Sequence, residues 1–154
     1  MHCIYKPVSE FLLDDQPFIL IHGVNQLMAM GSGIALAIRE QWPVVFEQYQ
    51  EIGRLPLGDS QWIEVGPRQF VINLFTQQFV RGYNGNFTDP AADPNAICAG
   101  LLRIVTDQRA EGIPIYLPRI GCDLGGLDWQ NVSVDIARIE ALWGDNFFII
   151  DNKK

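Results

Sequence analysis

The sequence predicts an α/β protein in three layers, with a six-stranded mixed sheet between helices. Short apolar runs of strand length alternate with segments whose apolar residues recur at helical spacing, a pattern typical of strands joined by helical crossovers. The 154 residues contain no repeat, low-complexity tract or linker, so we expect one domain over residues 1–154. In such folds ligands bind at the carboxyl ends of the strands.

The first part of the chain predicts two strands and two helices. A strand is expected over residues 3–6, where Pro7 stops it. Residues 18–22 form a continuous run of β-branched and aromatic side chains, typical of a strand buried on both faces. A loop of small residues then leads into a helical pattern at Ile34, and Pro43 is expected to open a second, short helix.

The rest of the chain continues the alternation. The same patterns predict strands over residues 62–65, 69–75, 113–117 and 147–150, and helices that begin at Asp93 and Asp128. The first two of these strands are joined through a Gly-Pro pair, which predicts an antiparallel hairpin and makes the sheet mixed. Each of the two aspartates is expected to cap its helix by accepting a hydrogen bond from the first turn.

Composition excludes several classes of protein. Eighteen acidic against eleven basic residues give a net charge of −7, so we expect no binding to bulk nucleic acid or to anionic membranes. No apolar run is long enough for a transmembrane helix, and the N-terminus does not resemble a signal peptide. Three cysteines without CxxC spacing argue against disulfides and a zinc site. We therefore expect a cytoplasmic protein without a metal.

Two glycine-rich loops follow predicted strands and are candidate anion sites. Residues 23–33 lead into the helix at Ile34, and residues 118–128 hold three glycines within six positions but lack the lysine of an ATP-binding P-loop. Glycine lets the main chain approach a ligand closely, and free amides at a helix start favour anionic oxygens. Together the two loops predict a site that binds a pyrophosphate from both sides. Either loop alone is also explained by a turn that packs a helix against the sheet.

Four segments carry a resemblance to a known family. HGVN, MGSGIA, NLFTQ and LPRIGCDLGGLDW occur in this order between Ile19 and Ile139. They resemble the macro domain family, in the branch that contains phage and bacterial ADP-ribose 1″-phosphate processing proteins, the terminal ADP-ribose protein glycohydrolase and the DNA de-ADP-ribosylating antitoxins. The resemblance implies a six-stranded mixed sheet, a cleft for ADP-ribose, and no metal or other cofactor.

The resemblance also implies the residues of the cleft. Asn25 would bind the distal ribose, and Thr76 and Gln77 would lie at the rim near that sugar. The first loop would line the diphosphate and the distal ribose, and the second would form the opposing phosphate loop. The ligand-binding residues implied in these two loops are Gly31, Ser32, Gly33, Ile34, Gly121, Cys122, Leu124, Gly125 and Gly126.

The chain departs from the family pattern at three places. No Gly-Asp pair follows the first strand, so either Ser9 or Glu10 contacts adenine in its place, or the protein selects adenine less strictly. Gln77 stands where the glycohydrolase and antitoxin members carry a lysine, and glutamine neither forms a Schiff base nor carries a charge. Asp123 replaces a glycine of the phosphate loop; beside a diphosphate its carboxylate must point away, pair with a cation such as Arg119, or act in the reaction.

The catalytic candidates are His22, Asp123 and Gln77. His22 or Asp123 would position or deprotonate a water molecule, although His22 is equally explained as a core histidine. We expect hydrolysis of an ADP-ribose derivative, foremost ADP-ribose 1″-phosphate or a related ADP-ribosyl ester, on a small molecule or protein. The alternatives are a module that binds ADP-ribose without turnover and a de-ADP-ribosylase acting on DNA. Residues 78–89 have turn composition and predict a flap over the cleft.

Overall fold

The computed structural model describes residues 1–31, 33–79, 82, 85, 90–122, 125–144 and 146–151. Within these residues the strands are β1 (His2–Tyr5), β2 (Phe18–Asn25), β3 (Ser60–Gly66), β4 (Gln69–Gln77), β5 (Ile115–Leu117) and β6 (Phe147–Asp151). The α-helices are α1 (Val8–Phe11), α2 (Gly33–Gln41), α3 (Pro43–Ile52), α4 (Pro94–Thr106) and α5 (Trp129–Trp143). A 3₁₀ turn over Gln108–Ala110 lies between α4 and β5.

The strands form one sheet in the order β1–β6–β5–β2–β4–β3. Neighbouring strands are parallel except β3 and β4, which are antiparallel. The predicted six-stranded mixed sheet and its hairpin are confirmed. Because β2 pairs in parallel with both β4 and β5, the carboxyl ends of these three strands meet at one edge, where an α/β sheet places its ligand.

Helices cover both faces of the sheet, as the three-layer prediction requires. One face packs against α4 and α5 through side chains that are almost all aliphatic, such as Ile19, Ile72 and Leu101. The other packs against α1, α2 and α3 and contains large aromatic side chains, among them Trp42 and Tyr49. We refer to them as the α4–α5 face and the α1–α3 face. No helix in the described part of the chain combines the length and apolar character needed to cross a membrane.

The predicted helix caps are also confirmed. Asp93 accepts a hydrogen bond from the amide of Asn95 at 2.9 Å, and Asp128 accepts one from the amide of Gln130 at 2.9 Å. Each satisfies an amide of the first helical turn that has no partner within the helix. The carboxylate of Asp128 is therefore occupied at the start of α5.

Several element boundaries differ from the prediction. β2 does not end at His22 but continues to Asn25, because the Gly-Val-Asn segment stays paired with β4. The short helix α1 was not predicted, since four residues are too few to show a helical period. β5 starts two residues later than expected, after Pro114, whose nitrogen has no hydrogen to donate to a sheet.

Candidate functional site

A cleft of about 560 Å³ opens at the edge where β2, β4 and β5 end. β2 and β4 contribute Gly23, Asn25 and Gln77 to its surface. One wall is the first turn of α2, and the opposite wall is the segment that follows β5. The volume lies within the roughly 300–1,000 Å³ typical of small-ligand pockets. The two glycine loops predicted to face each other therefore do so.

The first turn of α2 presents main-chain amides to the cleft. Gly33, Ile34 and Ala35 all line it, and Gly33 has a φ of +59°, which glycine adopts without steric strain. Amides in the first turn lack partners within the helix, and the helix dipole adds positive potential there. This wall can donate hydrogen bonds to an anionic oxygen. Gly31 is exposed and does not line the cleft, and Ser32 lies outside the described residues.

The opposite wall, the 118–126 loop, is shaped by its own glycines. Gly121 has a φ of +78°, and a Cβ there would lie 2.8 Å from Ile97 Cδ1. A Cβ at Gly125 would overlap the Gly121 carbonyl and lie 2.7 Å from Ala92 Cβ. The amide of Ala92 donates to the Gly125 carbonyl at 3.0 Å, which fixes the returning end of the loop. Both glycines thus serve the conformation of the loop and its packing against neighbouring residues.

The other predicted residues of this loop are only partly placed. Cys122 lines the cleft, with its Sγ 3.5 Å from the carbonyl oxygen of Ile120. Gly126 has a φ of +76° and lies next to the lining residue Gly125. Asp123 and Leu124 fall outside the described residues, so their roles stay predictions.

Asn25 lines the cleft, but most of its amide is used by the turn that follows β2. Its Oδ1 accepts from the amides of Leu27 at 3.0 Å and Ala29 at 3.3 Å, and its Nδ2 donates to the Ala29 carbonyl at 3.1 Å. Ala29 is itself a lining residue. Asn25 therefore shapes the wall of the cleft, and the second hydrogen on its Nδ2 is not used in these contacts.

Helix α3 holds this 25–29 turn in place. Met28 has a φ of +61°, an uncommon conformation for a residue other than glycine. Gln50 Nε2 donates to the Met28 carbonyl at 2.5 Å, and the Tyr49 hydroxyl donates to the Asn25 carbonyl. Burial raises the pKa of Tyr49 to about 12, so the hydroxyl keeps the proton that it donates at physiological pH.

β4 brings Gln77 into the cleft and buries Thr76 beneath it. Gln77 Nε2 donates to the Phe79 carbonyl at 2.8 Å, so Oε1 is the acceptor that the amide has to offer. Thr76 is fully buried and does not lie at the rim where it was predicted. Its hydroxyl has no hydrogen-bond partner among the described residues. A Cβ at Gly23 would lie 2.7 Å from that hydroxyl, so glycine permits their close approach.

His22 lies within β2 and takes part in a hydrogen-bonded chain across three strands. Its Nε2 is 2.5 Å from Asn73 Oδ1 on β4. Asn73 Nδ2 donates to Gln61 Oε1 on β3 at 3.1 Å, and Gln61 Nε2 donates to the Gln48 carbonyl of α3 at 2.9 Å. We term His22, Asn73 and Gln61 the polar ladder. It lies on the α1–α3 face, because His22 alternates with buried residues of that face along β2.

The α3 end of the ladder determines where the His22 proton sits. A carbonyl only accepts, so Gln61 turns its Nε2 to Gln48 and its Oε1 to Asn73, which leaves Asn73 Oδ1 for His22. His22 Nε2 must then carry the hydrogen, and its buried Nδ1 has no partner among the described residues. Burial lowers the pKa of His22 to about 4, so the ring is neutral at physiological pH.

The proposed acid or base role of His22 is not supported by this position. The side chain is fully buried and does not line the cleft. Because β2 continues three residues beyond it, the strand places Asn25, and not His22, at the sheet edge. The predicted role of Ser9 is not supported either. Helix α1 starts directly after Pro7, so Val8 and Phe11 face the core, and Ser9 is exposed and does not line the cleft.

Arg119 is the one charged side chain among the described residues that line the cleft. It is exposed, and its guanidinium carbon lies 5.8 Å from the centroid of the Trp129 ring. From the sequence, Arg119 was expected only as a cation with which Asp123 could pair.

Most of the predicted 78–89 flap falls outside the described residues. Within the described part of the chain, no group of three or more His, Cys, Asp or Glu side chains is arranged to hold a metal ion.

Known relatives share both sequence and fold with this chain, although no family model matches it. The DNA ADP-ribosyl glycohydrolase of Mycobacterium tuberculosis is 27% identical over 122 residues, which cover 74% of this chain and 32% of the relative. The protein of the same name from Mycobacterium bovis gives the same values. The chain thus spans about a third of the length of these curated relatives.

Solved structures extend the likeness to nearly the whole chain. The macrodomain of Mycobacterium tuberculosis DarG has a TM-score of 0.72 at 24% identity and covers 96% of this chain and 95% of its own. A macrodomain protein from Streptomyces coelicolor gives 0.74 at 21%, covering 99% and 100%. Thermosipho africanus DarTG in complex with ADP-ribose gives 0.69 at 23%, covering 86% and 37%. The fold that the sequence resemblance implies is confirmed, and this chain has the macro domain fold.

Proposed function

We propose that the cleft binds ADP-ribose and that the protein hydrolyses a bond at the distal ribose of an ADP-ribosylated substrate. The observation that carries the proposal is that the first turn of α2 and the described residues of the 118–126 loop line one cleft at the carboxyl ends of β2, β4 and β5. A diphosphate between these two segments would receive hydrogen bonds from both sides without needing a metal ion. The complex of Thermosipho africanus DarTG with ADP-ribose supports this ligand.

The substrate class follows from the relatives that the chain resembles. Two curated relatives are named DNA ADP-ribosyl glycohydrolase, which favours an ADP-ribosyl group attached to DNA. The motif resemblance also supports ADP-ribose 1″-phosphate. In that compound the distal ribose carries a phosphate in the position where it would otherwise be attached to DNA. The net charge of −7 argues against a broad nucleic-acid surface, but one modified nucleotide at the cleft requires only local contacts.

We assign Gln77 and Asp123 to the distal ribose, Gln77 from its place in the cleft lining and Asp123 from its position in the sequence directly after the lining residue Cys122. Gln77 Nε2 is held by the Phe79 carbonyl, so Oε1 can accept a hydrogen bond from a sugar hydroxyl or from the attacking water. Asp123 would then deprotonate that water, and main-chain amides would stabilise the negative charge that develops. With glutamine at this position, the reaction would proceed without a covalent lysine adduct.

Binding can be tested at Ile34, which is half-buried in the first turn of α2. Ile34→Glu places a carboxylate beside the proposed diphosphate, and a first-turn glutamate is compatible with the helix dipole. Ile34→Gln is the matched control, because it loses the same apolar contacts without adding charge. We expect ADP-ribose to bind Ile34→Glu about tenfold more weakly than Ile34→Gln in calorimetric titration, roughly 1.4 kcal/mol of repulsion. Equal affinities would contradict the proposed diphosphate site.

Turnover is tested with three substrates: an ADP-ribosylated DNA oligonucleotide, ADP-ribosylated protein and ADP-ribose 1″-phosphate. We expect release of ADP-ribose from at least one of them, and loss of that release in Asp123→Asn and Gln77→Leu. Saturable ADP-ribose binding without release from any substrate would instead establish a module that binds without turnover. Absence of ADP-ribose binding would overturn both.

A further inference from the structure

Among the described residues Arg119 is the one charged side chain that lines the cleft, and unlike three other exposed arginines it has no acidic partner there. Arg103, Arg109 and Arg138 each lie within 4 Å of a carboxylate, at 3.0, 2.8 and 3.8 Å respectively. Among the described residues Arg119 forms no such pair, and its guanidinium instead lies over the ring of Trp129, 5.8 Å from the centroid. An aromatic ring orients a guanidinium without neutralising it. Within the described part of the chain, no carboxylate neutralises the charge of Arg119.

The surroundings of Arg119 make an anionic ligand the natural complement. The remaining described lining of the cleft is uncharged, consisting of main chain, small or apolar side chains and the amides of Asn25 and Gln77. The protein as a whole carries −7, so an anion approaching it is repelled except near a local cation. A guanidinium offers paired N–H donors that match two oxygens of a phosphate.

We propose that Arg119 binds a phosphate group of the substrate at the rim of the cleft. This inference rests on the proposed function. The phosphate has two possible sources: the diphosphate of ADP-ribose itself, or a phosphate beyond the distal ribose, as in ADP-ribose 1″-phosphate. Arg119 would thereby determine which ADP-ribosylated substrates are held, while the main-chain amides of the two walls hold the part common to all.

The test compares Arg119→Gln with Arg39→Gln. Arg39 is a matched control, because it too is exposed, lies over an aromatic ring, with 3.7 Å between its guanidinium carbon and the Phe46 centroid, and does not line the cleft. Both variants remove one positive charge and one ring contact. Thermal melts check that each remains folded, and titrations at 50 and 300 mM salt give dissociation constants for ADP, ADP-ribose and ADP-ribose 1″-phosphate.

We expect Arg119→Gln to weaken binding of at least one ligand about tenfold relative to Arg39→Gln, as for one charge-assisted hydrogen bond, with a smaller ratio at high salt. Weaker binding of all three ligands assigns Arg119 to the diphosphate. A loss confined to ADP-ribose 1″-phosphate assigns it to a phosphate beyond the distal ribose. Equal affinities of the two variants for every ligand would overturn the inference, whereas failure of the wild-type protein to bind ADP-ribose would overturn the proposed function instead.

Discussion

Each face of the sheet has a buried core, but the two cores are held by different kinds of contact. The α4–α5 face is packed by aliphatic side chains, whose attraction does not depend on direction. The α1–α3 face contains the polar ladder, in which each hydrogen bond fixes the orientation of the next group. The first face contributes apolar burial, and the second also specifies how β2, β4, β3 and α3 are placed relative to one another.

That difference has a consequence for the cleft. The ladder ends on the carbonyl of Gln48, and the next residue of α3, Tyr49, donates its hydroxyl to the Asn25 carbonyl. The helix that receives the ladder is therefore the helix that holds the 25–29 turn at the cleft. Apolar packing alone tolerates small shifts, whereas these directional bonds fix the wall that Ala29 contributes.

The largest expected effect comes from breaking the ladder at its centre. Asn73→Leu keeps the size of the side chain but leaves His22 Nε2 and Gln61 Oε1 buried without partners. Because each buried unpaired group costs about 1–3 kcal/mol, we expect the free energy of unfolding to fall by about 4 kcal/mol. Urea unfolding followed by circular dichroism measures it. A loss below about 1 kcal/mol would show that the ladder does not bear on stability.

The next effect depends on pH and isolates His22. Its pKa of about 4 in the folded protein lies below the usual 6.5, so the unfolded chain takes up this proton first as the pH falls. The contribution of His22 to the free energy of unfolding is therefore fully present above about pH 7 and is lost as the pH falls towards 4. The difference between the two pKa values corresponds to about 3 kcal/mol. His22→Gln removes the titration while keeping a donor for Asn73.

Unfolding of wild type and His22→Gln at several pH values measures this contribution. We expect the stability of the wild type relative to the variant to decrease by about 3 kcal/mol between pH 7 and pH 4. Other titrating groups are common to both proteins and cancel in the difference. Two pH–stability curves that run parallel would contradict a depressed pKa for His22.

The smallest expected change in stability comes from a substitution on the opposite face of the sheet, at Ile72, the residue before Asn73. Ile72 is fully buried on the α4–α5 face. Ile72→Val removes one methylene and should lower the free energy of unfolding by about 1 kcal/mol, with no pH dependence of its own and no change in affinity for ADP-ribose. The same urea and calorimetric measurements apply. A loss as large as that of Asn73→Leu would remove the proposed distinction between the faces.

The sequence predicted the sheet and the position of the cleft, because both follow from local patterns. Apolar periodicity located all six strands, and glycine loops after parallel strands predicted facing walls at one edge. The role of His22 was predicted less well. Its partner Asn73 is 51 residues away, and only pairing of β2 with β4 reveals that the strand continues to Asn25. Glycine and asparagine at that end are poor strand formers, so tertiary pairing overrides the local preference.

The close packing around the glycines of the 118–126 loop affects how substitutions in descendants of this protein should be interpreted. A methyl group at Gly121 would press on Ile97 and Leu127, and one at Gly125 would overlap the Gly121 carbonyl, whereas one at Gly31, outside the cleft lining, would meet open space. A descendant that no longer recognised any nucleotide would still need the first two glycines in order to fold. Retention of Gly121 and Gly125 in a descendant would thus not by itself show that its cleft still binds a nucleotide.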